Sequence, residues 1–138
     1  MSVEAAVMQS IKGLKCTQIT RSGFSWRFDF QDIFTIHVNC PWRIISEKSI
    51  ALGSEDDGQK FGLPEPLDGI KEAIRLLSEK TVTKATIEEI TGDIAIEFDS
   101  NLRIEVFNHS SGYEGWECQS KSGLNVVGMG GGGITSFS

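Results

Sequence analysis

The sequence predicts an α+β fold: a mainly antiparallel sheet or sandwich built from two related hairpins and packed by one or two helices. Residues 26–38 and 94–106 share one alternating pattern at a constant offset of 68 positions. Trp26, Phe28 and Phe30 answer to Ile94, Ile96 and Phe98, while Phe34, Ile36 and Val38 answer to Leu102, Ile104 and Val106. Alternation of period two places each trio on one face of a strand. The polar breaks Gln31-Asp32 and Asp99-Ser100-Asn101 then read as hairpin turns. Strands and helices do not alternate along the chain, which argues against a doubly wound parallel sheet.

The elements follow in order. Val3, Ala6, Val7 and Ile11 recur at helical spacing, with Ser2 as N-cap and Gly13 as stop, predicting a short helix. Residues 14–19 read as a strand entering the first hairpin. Asn39-Cys40-Pro41 interrupts the pattern, because proline has no amide to donate to a ladder. Trp42 and Ile44, then Ile50 and Leu52, resume it. Residues 53–66, rich in Gly, Pro and acids, form a connector. Pro66 suits a first helical turn, and Leu67, Ile70, Ala73, Ile74 and Leu77 make the apolar stripe of a helix over about 66–79. Gly69 weakens it by about 1 kcal/mol relative to alanine.

Thr81, Val82, Ala85 and Ile87 lead into the second hairpin. Tyr113, Trp116 and Cys118, residues 124–127, the glycine run 128–133, and Ile134 with Phe137 complete the chain. The whole reads as one domain over residues 1–138, with hairpin halves at about 14–52 and 81–138.

Composition narrows the function classes. Nineteen acidic against thirteen basic residues give a formal charge of −6, which repels a nucleic-acid backbone and attracts a basic protein. No apolar run spans a bilayer, and an acid near the N-terminus replaces the basic region of a secretory signal, so a cytoplasmic location is expected. Cys16, Cys40 and Cys118 are odd in number and widely spaced. They indicate neither a disulfide framework nor a thiolate metal site.

Chemical motifs are sparse. The glycine run lacks the Lys-Ser/Thr and helix that a phosphate loop needs, and reads as a turn or bulge between terminal strands. His37 and His109 are the only histidines; with Cys16 and Cys40 they show no metal-ligand spacing. Glu55-Asp56-Asp57, Glu88-Glu89 and Glu97 near Asp99 supply carboxylate pairs, but a glycosidase needs two of them facing each other across a pocket. No metal and no cofactor is expected. Between Glu88 and Glu105 stand six carboxylates, Glu88, Glu89, Asp93, Glu97, Asp99 and Glu105, against a single base, Arg103. That pattern predicts an acidic outward face on the second hairpin, able to steer a basic partner.

The succession Phe24-x-Trp26-x-Phe28-x-Phe30, Pro41-Trp42-Arg43-Ile44, Thr91-Gly92-Asp93-Ile94-Ala95-Ile96-Glu97-Phe98 and Tyr113-Glu114-Gly115-Trp116-Glu117, with its glycine-rich tail, resembles a small bacterial family of unknown function. The tail departs from that family in carrying four successive glycines where a shorter turn stands. Such small acidic α+β proteins are similar to the immunity proteins encoded beside polymorphic and contact-dependent toxins. The resemblance implies no catalytic residues. It implies a non-enzymatic protein that neutralises a cognate, basic toxin, a nuclease being one candidate, by occlusion.

The expected partner-binding residues are Glu88, Asp93, Glu97 and Glu105, with Arg43 and whichever of Trp42, Tyr113 and Trp116 is exposed as anchor. Neither nucleic acid nor membrane is an expected partner, and the chain is expected to be a monomer or homodimer. The alternatives are a small-ligand binder or enzyme with a cleft between the hairpins using Cys40, His37 or His109, and a self-associating structural domain that pairs sheet edges.

Overall fold

The computed structural model describes residues 2–138. Its elements are α1 (Val3–Gln9), β1 (Gln18–Ser22), β2 (Ser25–Phe30), β3 (Phe34–Val38), β4 (Trp42–Ser46), β5 (Ser49–Gly53), α2 (Gly69–Leu77), β6 (Val82–Ile87), β7 (Ile94–Phe98), β8 (Leu102–Val106), β9 (Trp116–Ser120), β10 (Asn125–Gly128) and β11 (Ile134–Phe137). They form two antiparallel sheets, ordered β1-β2-β3-β9-β10-β11 and β5-β4-β8-β7-β6, packed as an α+β sandwich.

The two hairpins are related down to their register. Trp26 pairs Val38 and Phe30 pairs Phe34; at the same offset Ile94 pairs Val106 and Phe98 pairs Leu102. Only the turns differ: consecutive positive-φ residues, the mark of a type I′ turn, fall at Gln31-Asp32 in one and at Ser100-Asn101 in the other.

The relation extends beyond the hairpins. Trp42 of β4 lies opposite Val106 of β8, as Trp116 of β9 lies opposite Val38 of β3. Each sheet therefore takes three strands from one half of the chain and completes itself with strands from the other. The helices obey the same exchange: α1 packs on β6 and touches β11, while α2 packs on β1 and touches β5. Each helix thus bridges edge strands of opposite sheets and closes one open side of the sandwich. Gln9 Oε1 accepts the edge amide of Ala85 at 2.8 Å, and the Gly13 and Val82 amides exchange bonds with the 13–15 segment and β6. That covers the β6 edge, which would otherwise invite strand pairing.

The inward faces supply the core. Trp26, Phe28, Phe30, Phe34, Ile36 and Val38 meet Trp42, Ile44, Ile94, Ile96, Ile104 and Val106, all buried. Trp26 and Phe28 hold the Trp42 ring edge-on at centroid distances of 4.8 and 5.1 Å. Each such aromatic pair adds about 1 kcal/mol beyond area burial.

Several boundaries differ from the sequence reading. Strand β1 starts at Gln18 rather than at residue 14, because Gly13, Leu14 and Lys15 serve the β6 edge instead. Helix α2 starts at Gly69, three residues later than expected, where Asp68 caps the Lys71 amide at 3.0 Å. Pro66 lies outside it. Gly69 is there for closeness: its amide donates to Asp57 Oδ1 at 2.7 Å, and a Cβ would lie 2.8 Å from Asp57 Cβ. Ile74 leaves the predicted stripe for solvent, whereas Leu76 packs on the core. Val82 and Ala85, three apart, share the inward face because a bulge at Thr83 shifts the register. No described helix is long and apolar enough to cross a membrane.

Candidate functional site

Because every strand is antiparallel to its neighbour, the connections sort to two ends of the sandwich. One end gathers the links 23–24, 39–41, 54–68, 88–93, 107–115 and 129–133; the other holds 31–33, 47–48, 99–101, 121–124 and the segments beside the helices. Long irregular connections on a rigid frame are where binding residues concentrate. The four most exposed large apolar side chains all stand at the first end: Phe24 at 90%, Tyr113 at 81%, Ile90 at 80% and Phe61 at 68%. Leu63 joins them from the same link as Phe61.

The acidic charge gathers there as well. These six links carry Glu55, Asp56, Asp57, Glu65, Asp68, Glu88, Glu89, Asp93 and Glu114 against Lys60 alone, a formal −8 where the whole chain has −6.

A mesh of backbone and glycine contacts holds the links together. Asn108 is its centre: its amide donates to Asp93 Oδ1 at 2.9 Å, and its side-chain Nδ2 donates to the Thr91 and Met129 carbonyls at 2.8 and 2.9 Å. The Gly131 amide donates to the Ser110 carbonyl and the Gly133 amide to that of Ile90. A Cβ at Gly130 would sit 2.4 Å from the Gly112 carbonyl carbon, and one at Gly132 would sit 2.2 Å from the Ile90 oxygen. The glycine run is therefore a packed turn between β10 and β11 whose missing side chains let three loops touch. Glu88 pins the base of 88–93 by accepting the amides of Ile90 and Thr91 at 2.9 and 2.7 Å. The bond from the Thr91 amide, more than the others, draws its pKa below the usual carboxylate range.

A groove crosses this end. A cleft of about 460 Å³, whose lining includes Phe24, Trp26, Cys40, Pro41, Glu55, Asp57 and His109, runs through Asn39, Cys40 and His109 into a second of about 360 Å³ bounded by Tyr113 and Glu114. Within it the Arg21 guanidinium lies 5.0 Å from the Trp26 ring centroid and donates to Asp57 at 2.7 Å. Cys40 and His109 do come together here, as a cleft reading requires, but burial and then the Asp93 charge push the Cys40 thiol up to about 12, so it is protonated at neutral pH. Burial also raises Cys16 to about 12 and Cys118 well above the usual thiol value. His37 stands on the outer face of the six-stranded sheet, opposite Glu117 and Arg27.

The predicted partner-binding set divides. Tyr113, Glu88 and Asp93 belong to the loop end, although Asp93 is half-buried and engaged with Asn108. Trp42 and Trp116 are core residues, exposed by 2% and 1%, because they occupy inward register positions; the Trp116 indole donates to the Gly92 carbonyl at 2.7 Å. Neither can anchor a partner. Glu105 is not a free carboxylate: Arg43 Nε lies 2.6 Å and Arg103 Nη2 3.0 Å from its oxygens. Arg43 is spent internally on this pair and on the Phe107 ring, 5.0 Å away. Glu97 is half-buried in β7, in register with Lys84 and Arg103.

The outward face of the second hairpin is therefore balanced by cross-strand bases, which linear spacing does not display, and the acidic surface belongs to the loops instead. Sequence reasoning missed Phe24, Phe61, Leu63 and Ile90. Phe24 falls in phase with Trp26, and only Gly23 before it, at φ 61°, signals the turn that carries it outward. Among the described residues no three His, Cys, Asp or Glu side chains converge as a metal site would require.

A family model described as a family of unknown function, DUF6188, matches residues 7–138. The chain belongs to this family. No curated protein and no solved structure matches it.

Proposed function

We propose that this DUF6188 protein is a non-enzymatic binding module that docks a basic protein through the loop end of its sandwich. One observation carries the reading: the four most exposed large apolar side chains of the described residues all lie in loops at one end, whose carboxylates outweigh the charge of the whole chain. Exposed aromatics in loops tied to a rigid frame supply contact area with little entropy to lose, and a surrounding anionic field accelerates encounter with a cationic partner. The mesh around Asn108 and the glycine run supports the same reading, since it holds the loops in one arrangement before binding.

The resemblance to immunity proteins gives the partner a biological form. In this proposal it is a cognate bacterial toxin whose basic substrate groove, that of a nuclease for example, the loop end occludes. Phe24 and Tyr113 act as anchors, and Glu88 with its neighbouring loop carboxylates stands in place of phosphates.

Co-expression with the product of the adjacent open reading frame tests it. The wild-type chain should relieve growth arrest, and Phe24→Ala/Tyr113→Ala should relieve it at least tenfold less well, the loss expected for two anchors each contributing about 1 kcal/mol or more. Arrest unrelieved by the wild-type chain, or relieved equally by the double variant, would refute the proposal.

A further inference from the structure

We infer that the groove between Phe24 and Tyr113 is a receptor for arginine side chains on an extended segment of the basic partner, an inference that rests on the docking role proposed above. The chain itself shows the chemistry. Arg21 lies over the Trp26 ring and pairs with Asp57 inside this groove, and Arg43 lies over Phe107 and pairs with Glu105 elsewhere. In both, a planar guanidinium is held between an aromatic face and a carboxylate, a geometry that lysine fits less well.

The groove carries the same two components twice more. Phe24 and Glu55 line one cleft, Tyr113 and Glu114 the other, and the two clefts meet at Asn39, Cys40 and His109. Among the described residues neither Glu55 nor Glu114 belongs to an ion pair. Phe24 and Tyr113 present almost all of their surface to solvent. One aromatic and one carboxylate in each of two clefts that share Asn39, Cys40 and His109 match two arginines on one extended strand.

The probe is a hexa-arginine peptide titrated into the isotope-labelled full chain, with hexa-lysine for comparison, read by amide chemical shifts. Hexa-arginine should move the amides of Phe24, Asn39, Cys40, His109 and Tyr113 most and bind several-fold more tightly than hexa-lysine. Glu55→Gln/Glu114→Gln should weaken it about tenfold, the size of two partly exposed charge-assisted contacts. Glu65→Gln/Glu89→Gln removes as many charges from the same end outside the groove and should change affinity less than twofold.

None of these four carboxylates makes a hydrogen bond within the described chain, so folding is not at stake. Equal weakening by the two double variants, equal affinity for the two peptides, or shifts spread over every acidic loop would overturn the inference in favour of diffuse attraction. Growth rescue that Phe24→Ala/Tyr113→Ala abolishes, without arginine selectivity, would remove the receptor and leave the docking role. Arginine selectivity in a chain that rescues nothing would do the reverse.

Discussion

At one end of the sandwich the hairpins turn back within two to four residues, at 31–33, 47–48, 99–101 and 121–124; at the other, connections reach nine residues at 107–115 and fifteen at 54–68. The same strands feed both ends. The links of the tight end, with the segments beside the helices, carry Lys12, Lys15, Lys48, Lys80 and Lys121 against Asp32, Glu47, Glu79 and Asp99, close to neutrality, while the loop end stands at −8.

The two halves of the chain diverge most at the loop end, where the links differ by several residues, and by only two residues at the tight end, where 47–48 answers to 121–124. Both hairpin turns span three residues, but the link 39–41 corresponds to 107–115, and 23–24 to 88–93. A turn between paired strands is fixed by ladder geometry, whereas a loop that must meet another surface is free to lengthen. Architecture resides in the strands and three-residue turns that the halves share, and the exposed apolar and acidic residues gather in the loops that depart from the repeat.

Substitutions can break that comparison. The largest effect is expected at Gly130, whose added Cβ would strike the backbone of the 107–115 loop. Gly130→Ala should cost about 2–3 kcal/mol in urea unfolding and speed hydrogen exchange in 88–93 and 107–115. Gly123→Ala, in a tight turn at φ 97° with open space around it, should cost only about 1 kcal/mol. Equal costs would mean that the loops are not held by the glycine run.

A charge experiment sharpens the assignment of the acidic surface. Glu55→Lys/Glu89→Lys should slow association with the basic partner about tenfold at low salt and flatten its salt dependence. Glu97→Lys/Glu105→Lys should leave association nearly unchanged and instead lower stability by about 1 kcal/mol, because Arg43 and Arg103 would then face a cation. Stopped-flow binding and chemical denaturation of the same variants separate the two outcomes.

The smallest effect concerns the thiols. Their raised pKa values should keep Cys40 and Cys118 unreactive toward a thiol reagent at pH 8 until the chain unfolds. A folded pKa above the unfolded value contributes stability that is intact below about pH 9 and lost toward pH 12, so the urea midpoint should fall across that window. Rapid modification of the folded chain would show that burial does not hold these thiols protonated.

The hairpins were legible because alternation is a local property: Trp26 through Phe30 and Ile94 through Phe98 declare their inward faces without help from the rest of the chain. The charged face was not. Glu105 looks free in the linear sequence, and only the pairing of β4 with β8 sets Arg43 beside it. Trp116 could be counted as an anchor or a core residue until its register with Val38 turned it inward. Of the site itself, Tyr113 and Glu88 were within reach of spacing and composition, whereas Phe24 imitated a core position.

By itself the sequence determined the α+β class, the two related hairpins, their inward residues and the acidic balance, because periodicity, turn residues and net charge are written one residue at a time. Only the tertiary structure decided that the halves exchange strands, that bases neutralise the second hairpin, and that Phe24, Tyr113, Ile90 and the loop carboxylates share one end. Those are relations between residues far apart in the chain, and they exist only once antiparallel pairing has sorted every connection to one end of the sandwich or the other.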